Sequence, residues 1–111
     1  MSKYHNRRVQ VDGFMFDSEA EARRYGELNL LLEAGAIENL QIHPRFTLQE
    51  AFTTEFGLKV HPIVYVADFS YVEKSLDVVE DVKGYATAVF KVKVKLFRKR
   101  YPEIDFRILP V

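Results

Sequence analysis

Two apolar runs separated by a very short polar link constrain this chain more than any other feature. The first ends in Tyr65-Val66-Ala67-Asp68-Phe69-Ser70-Tyr71, and the second is Leu76-Asp77-Val78-Val79-Glu80-Asp81-Val82-Lys83-Gly84. Both read as strands, and Glu73-Lys74-Ser75 leaves room only for a tight turn, so the two runs are expected to pair as an antiparallel hairpin. Side chains alternate faces along a strand and each residue rises about 3.3 Å. Asp81 and Lys83 therefore share a face about 6.6 Å apart along the strand, while Val78, Glu80 and Val82 point the other way. In the first run Val66, Asp68 and Ser70 share one face, and Tyr65, Ala67, Phe69 and Tyr71 form an apolar one. The pairing lets Asp68 and Asp81 meet on one surface beside an amine. Two adjacent carboxylates repel unless a cation lies between them, and Mg²⁺ held by one or two carboxylates, waters and a substrate phosphate is a common resolution. A solvated Asp–Lys salt bridge is the structural alternative.

The rest of the chain bounds what can surround this pair. With 111 residues, 48% of them hydrophobic and nine Phe and six Tyr among them, the expectation is a single folded domain over residues 1–111 with one core. The absence of cysteine excludes disulfides, thiol catalysis and zinc–cysteine sites. No apolar run reaches the roughly 18 residues of a membrane span, and Met1-Ser2-Lys3-Tyr4-His5 lacks the apolar core of a signal peptide, so a cytoplasmic protein without membrane contact is expected. The three histidines, His5, His43 and His61, match no metal spacing, and no sequence signature asks for an organic cofactor.

Formal net charge is zero, yet the charges are not evenly spread. Lys91, Lys93, Lys95, Arg98, Lys99 and Arg100 lie within ten residues that contain no acid, and Lys3, Arg7 and Arg8 sit in an acid-free N-terminal arm. Such clusters neutralise phosphates locally; a solvated basic helix face is the alternative.

Along the chain, residues 9–16 read as a hairpin turning at Asp12-Gly13. Residues 19–34 read as a helix capped by Ser18 and closed by Gly35. Residues 39–50 alternate as a strand with an edge or bulge at Pro44, and a turn near Phe56-Gly57 leads into the strand ending at Tyr71. In the run after Gly84, Phe90 to Leu96 alternates as a strand would, but Val89/Phe90, Lys93/Val94, Phe97 and Tyr101 also follow helical spacing, and the length of about fifteen residues, Thr87 as a cap and Pro102 as a stop favour a helix; a last strand spans residues 104–109. Glu21 belongs to a stripe with Tyr25, Leu28 and Leu32 at helical spacing, placing a carboxylate on the sheet-facing side. Ser18-X-X-Glu21 also reads as a capping box.

The order helix, three strands, helix, strand resembles the core of the PD-(D/E)XK nuclease superfamily, and within it a small phage- and prophage-encoded family. The motifs carrying the resemblance are Lys3-Tyr4-His5-Asn6-Arg7, Phe16-Asp17-Ser18 with Glu21-Ala22, Pro44-Arg45-Phe46, Tyr65 to Phe69, Glu80-Asp81-Val82-Lys83-Gly84 and Lys93 to Phe97. Ala67 stands where the superfamily usually has proline. The resemblance implies an α+β, restriction-endonuclease-like fold with a mixed sheet flanked by helices. It further implies Mg²⁺ (or Mn²⁺) bound by Asp68, Asp81, the Val82 carbonyl and Glu21, with Lys83 as the catalytic lysine. Glu21, Asp68, Asp81 and Lys83 would then hydrolyse DNA phosphodiesters, with branched DNA one candidate substrate. Lys91, Lys93, Lys95, Arg7, Arg8 and Arg45 would contact DNA, and relatives that pair two subunits suggest a homodimer. A phage or prophage origin would place it in a bacterial cytoplasm. Two other expectations stay open: a non-catalytic DNA-binding or assembly protein that retains the fold, and a structural protein whose acids are salt-bridged to Lys83.

Overall fold

The computed structural model describes residues 7–111, so the Lys3-Tyr4-His5-Asn6 part of the N-terminal motif lies outside the described residues. The chain runs β1 (Val9–Val11), β2 (Phe14–Phe16), α1 (Glu19–Glu33), β3 (Glu38–Ile42), β4 (Arg45–Gln49), β5 (Phe52–Thr53) and β6 (Lys59–Val60). It continues through β7 (Ile63–Val66), β8 (Phe69–Glu73), β9 (Leu76–Val82), α2 (Ala88–Arg100) and β10 (Asp105–Leu109). The fold is α+β. A mixed sheet in the order β10-β9-β8-β3 forms its centre, with β10 parallel to β9 across the α2 crossover and the other pairs antiparallel. Taking α1, β3, β8, β9, α2 and β10 together gives helix, three strands, helix, strand.

Local chemistry sets the elements. Asp12 and Gly13 both have positive φ, 52° and 83°, the requirement of a type I′ turn between β1 and β2. The Ser18 side chain accepts the Glu21 amide at the start of α1, and Gly35, at φ 75°, ends it in the left-handed region. Thr87 caps α2 by accepting the Phe90 amide at 3.1 Å. The helical period, not the alternating one, governs α2: Phe90, Val94 and Phe97 are buried, whereas strand alternation would have grouped Phe90 with Val92 and Val94.

Two cores sandwich the sheet. Phe16, Tyr25, Leu28, Ile37, Phe69, Tyr71, Val78 and Val82 pack under α1, and Leu48, Tyr65, Ala67, Val79, Phe90, Val94, Phe97 and Phe106 pack under α2. Within α1, Glu21, Tyr25 and Leu28 are buried as the stripe predicts, but Leu32, in the last turn, is exposed. Glu80 is wholly buried and structural: Arg24 grips it through Nε and Nη2 at 2.8 and 2.7 Å, and the Tyr71 hydroxyl donates to it.

The structure corrects the strands at two points: Lys59–Val60 turns off at His61-Pro62 into a separate hairpin with Phe52–Thr53, and the longer runs bend. Residues 39–50 and the run ending at Tyr71 are not continuous strands. Each is broken, at His43-Pro44 and at Ala67-Asp68, so that β3 pairs with β8 while β4 pairs with β7. The breaks face each other and are stitched by the His43 amide donating to the Asp68 carbonyl and the Ala67 amide to the Pro44 carbonyl, both at 3.0 Å. Pro44 has no amide to give a ladder, and His43 takes a positive φ of 53°. The bend also overturns the expected single apolar face: Tyr65 and Ala67 enter the α2 core, Phe69 and Tyr71 the α1 core.

Candidate functional site

Asp68 sits on the bend, where β8 begins. The β8–β9 ladder ends at the pair Phe69–Glu80; beyond it the Val82 amide donates to Asp68 Oδ2 at 2.7 Å. A carboxylate therefore substitutes for the strand that has peeled away. Glu21 reaches the same point from the first turn of α1 and shares a side-chain hydrogen bond with Asp68. Ser18 Oγ accepts the Glu21 amide at 3.2 Å and donates to Glu21 Oε2 at 3.4 Å, so the serine half of the capping box is present while the Glu21 carboxyl meets the serine hydroxyl.

Burial and the neighbouring carboxylate together dominate the electrostatics. Burial first, then the Asp68 charge and the shared hydrogen bond, push the Glu21 carboxyl up to about 8. Asp68 is raised mainly by burial, against the Val82 amide, the Glu21 hydrogen bond, and the Lys83 and His43 charges, all of which favour its charged form. The pair therefore holds a proton more tightly than free carboxyls do, with Glu21 the member pushed furthest up. Two carboxyls joined by a proton occupy the arrangement that a divalent cation replaces.

Asp81 and Lys83 project to the α2 side, as their parity requires, but Asp68 has turned to Glu21 under α1, so the two aspartates do not meet on one surface as the hairpin pairing predicts. Asp81 is 2% exposed; it accepts a hydrogen bond from the Tyr65 hydroxyl, and Lys83 Nζ lies 3.8 Å from its Oδ1. Burial pushes the Asp81 carboxyl up to about 6, and the Lys83 charge opposes that. Lys83 Nζ also lies 4.7 Å from the centre of the Phe90 ring, a cation–π contact that steadies the amine. The four expected site residues are linked in a chain, Glu21 to Asp68, Asp68 to Lys83, Lys83 to Asp81. Among the described residues, no three acidic or histidine side chains close on a single point. The donor chemistry still fits Mg²⁺ in the mode that uses two carboxylates and leaves its other positions to water and phosphate.

Glu21 and Lys83 open onto a groove of 810 Å³ between the start of α1 and the end of β9, lined also by Arg7, Arg23 and Tyr85. Arg7 and Arg8 are exposed and lie 3.6 Å from Glu19 and 3.8 Å from Asp17. Arg45 lines a separate recess with Gln41 and Ser70. The three α2 lysines do not act alike: Lys91 and Lys95 are exposed one turn apart, whereas Lys93 Nζ donates to the Val64 carbonyl at 3.2 Å. Sequence reasoning missed Tyr65 as the partner of Asp81 and Arg23 as a groove residue. The bend reverses the first residue's expected companions, and a surface arginine within a helix gives no signal.

An α+β protein with a carboxylate pair and a lysine at a split in its sheet is the class that fold and site define. The chain belongs to the family described as "Protein of unknown function (DUF1064)", whose model matches residues 1–109. No curated protein and no solved structure matches it. No helix among the described residues is long and apolar enough to cross a membrane.

Proposed function

We propose that this protein is a metal-dependent endonuclease that hydrolyses DNA phosphodiester bonds, related in plan to the PD-(D/E)XK enzymes. The observation carrying this reading is the carboxyl pair of buried Glu21 and half-buried Asp68 at the point where the strand before β8 leaves β9, with the Lys83 charge felt by Asp68. Glu21 and Asp68 would hold Mg²⁺ or Mn²⁺, with the Val82 carbonyl that the resemblance adds; Asp81, on the α2 side against Tyr65, would stand apart from the ion and hold Lys83. Such an ion supplies Lewis-acid activation of the phosphate and lowers the pKa of a bound water.

The remaining work falls to the chain. Val82 fixes the Asp68 carboxylate through its amide, so this donor is oriented before substrate arrives. Glu21 loses its proton as the site is charged. Lys83, held by Asp81 and Phe90, presents a positive charge to the phosphate oxygens and orients the attacking water. Lys91 and Lys95 meet flanking phosphates and set position without reading sequence; Arg7, Arg8 and Arg45 are further candidate contacts, and Lys93, committed to Val64, is the weakest of the set.

One observation favours the structural alternative: Asp81 is already satisfied by Tyr65 and Lys83. Divalent-ion binding separates the two. Incubation with Mg²⁺ or Mn²⁺ and labelled duplex, single-stranded and branched DNAs should give metal-dependent cleavage that Asp68→Asn abolishes. Absence of both calorimetric metal binding and cleavage would leave a non-catalytic protein that retains the fold.

A further inference from the structure

The β5–β6 hairpin stands apart from the rest of the molecule. Its strands pair only with each other, Phe52 with Val60 and Thr53 with Lys59, and no residue from 50 to 62 belongs to either core. Its turn is nevertheless firmly built: the Thr54 amide donates to the Leu58 carbonyl at 2.8 Å, the Gly57 amide to the Thr54 carbonyl at 3.0 Å, and the Leu58 amide to Thr54 Oγ1 at 3.0 Å. Gly57 takes a φ of 85° that a larger residue would resist. This rigid turn presents Phe56, 94% exposed, and Leu58, 67% exposed, with Glu55 between Thr54 and Phe56. A rigidly held, bare aromatic is how interface anchors are presented, since little side-chain entropy is lost on burial.

A matching surface exists on α2. Val89, Val92 and Leu96 recur at i, i+3 and i+7 and are 65%, 56% and 36% exposed, forming a second apolar stripe on the helix face away from the Phe90–Val94–Phe97 core. Lys95 and Lys99 border it, and neither makes an ion pair among the described residues. The cations make α2 a poor partner for another α2, because like charges would meet. They suit an apolar tip that carries a carboxylate. The base of the chain's own hairpin is tied to the C-terminal end of α2 by Arg100 and Glu50 at 3.4 Å, and its tip, with Phe56 94% exposed, does not cover the stripe.

We infer that the β5–β6 hairpin of one copy docks on the α2 stripe of a second copy, Phe56 and Leu58 covering Val89, Val92 and Leu96 while Glu55 faces Lys99. A two-fold axis makes the contact twice and gives a closed homodimer. The assembly does not depend on the nuclease reading. It leaves Lys91, on another flank of α2, free.

Sedimentation velocity on the full chain tests it, with circular dichroism confirming that each variant is folded. Phe56→Asp and Val92→Asp, both at exposed positions, should each weaken dimerisation by roughly thirtyfold or more, the loss expected for a buried anchor. Glu55→Lys and Lys99→Glu should each weaken it and together restore it. Because the chain has no cysteine, Phe56→Cys mixed with Val92→Cys should yield a disulfide-linked heterodimer under mild oxidation. A monomeric wild type, a dimer indifferent to Phe56→Asp, or Phe56→Cys cross-linking to itself in preference to Val92→Cys would each overturn the inference.

Discussion

The carboxyl pair makes a prediction that runs against the usual acid behaviour of proteins. Glu21 is buried, and its carboxyl lies at about 8 against 4.5 for a free side chain. A carboxyl whose folded value is raised binds its proton more tightly in the native state than in the unfolded one. Stability is then fully present below about 4.5 and is lost progressively as pH rises through about 8. Each pH unit in that window is worth about 1.4 kcal/mol, giving an upper bound of about 5 kcal/mol. The carboxyl edges the groove, and water there screens part of the field, which brings the expected loss to about 2–4 kcal/mol. Asp81, raised to about 6, adds loss of the same sign at the lower end of the window.

Denaturant unfolding in metal-free buffer, repeated from pH 5 to pH 8.5, measures this directly. Wild type should weaken with rising pH, and Glu21→Gln, which keeps a hydrogen-bonding group beside Asp68 but cannot ionise, should lose most of the slope and be the more stable form near pH 8. Mg²⁺ should offset the wild-type loss most at high pH, because the ligands must be deprotonated; occupancy at a hundred times Kd stabilises by about 2.7 kcal/mol. Parallel pH profiles for wild type and Glu21→Gln would refute the assignment of a shared, buried proton to this pair.

Three further outcomes follow from the same geometry. Arg24→Ala leaves the wholly buried Glu80 without its bidentate partner and should destabilise by about 3–5 kcal/mol in denaturant unfolding. Replacing Lys91 and Lys95 by Ala should weaken DNA binding and make the dependence of log K on log salt shallower by about 1.8, whereas Lys93→Ala should leave that slope unchanged, as fluorescence anisotropy across a salt series would reveal. Lys83→Ala should lower the cleavage rate at saturating DNA by on the order of 10²–10⁴ with little change in affinity; cleavage at the wild-type rate would remove the lysine from the proposed chemistry.

Much of this architecture was legible in the sequence because local rules decided it. Ser18, Thr87 and Gly35 act at helix ends through their own side chains or their own φ, and Asp12-Gly13 fixes its turn unaided. Strand parity alone placed Asp81 and Lys83 together and turned Glu80 to the other face. The bend was not legible. Nothing between Ile63 and Tyr71 breaks an extended period, since no proline or glycine falls there, and the one visible signal, Pro44, lies in the partner strand. Tertiary pairing transmits that break across the hairpin, and its consequence, the transfer of Phe69 and Tyr71 to the α1 core while Tyr65 remains under α2, is invisible to a pattern of period two.

That same bend explains why the site lies where it does. A continuous strand through residue 68 would have supplied a backbone acceptor to the Val82 amide and turned Asp68 toward the α2 side, alongside Asp81. With the strand broken, the amide is orphaned at the edge of a buried sheet, and an unpaired buried amide costs about 1–3 kcal/mol. The Asp68 carboxylate satisfies it and in doing so is brought beside Glu21 on the other side of the sheet. Lys83, one residue past Val82, is the only described cation placed against both acids, 3.8 Å from Asp81 and felt by Asp68. The separation of Asp68 from Asp81 and their linkage through one amine therefore have a single physical origin, the paired breaks at His43-Pro44 and Ala67-Asp68.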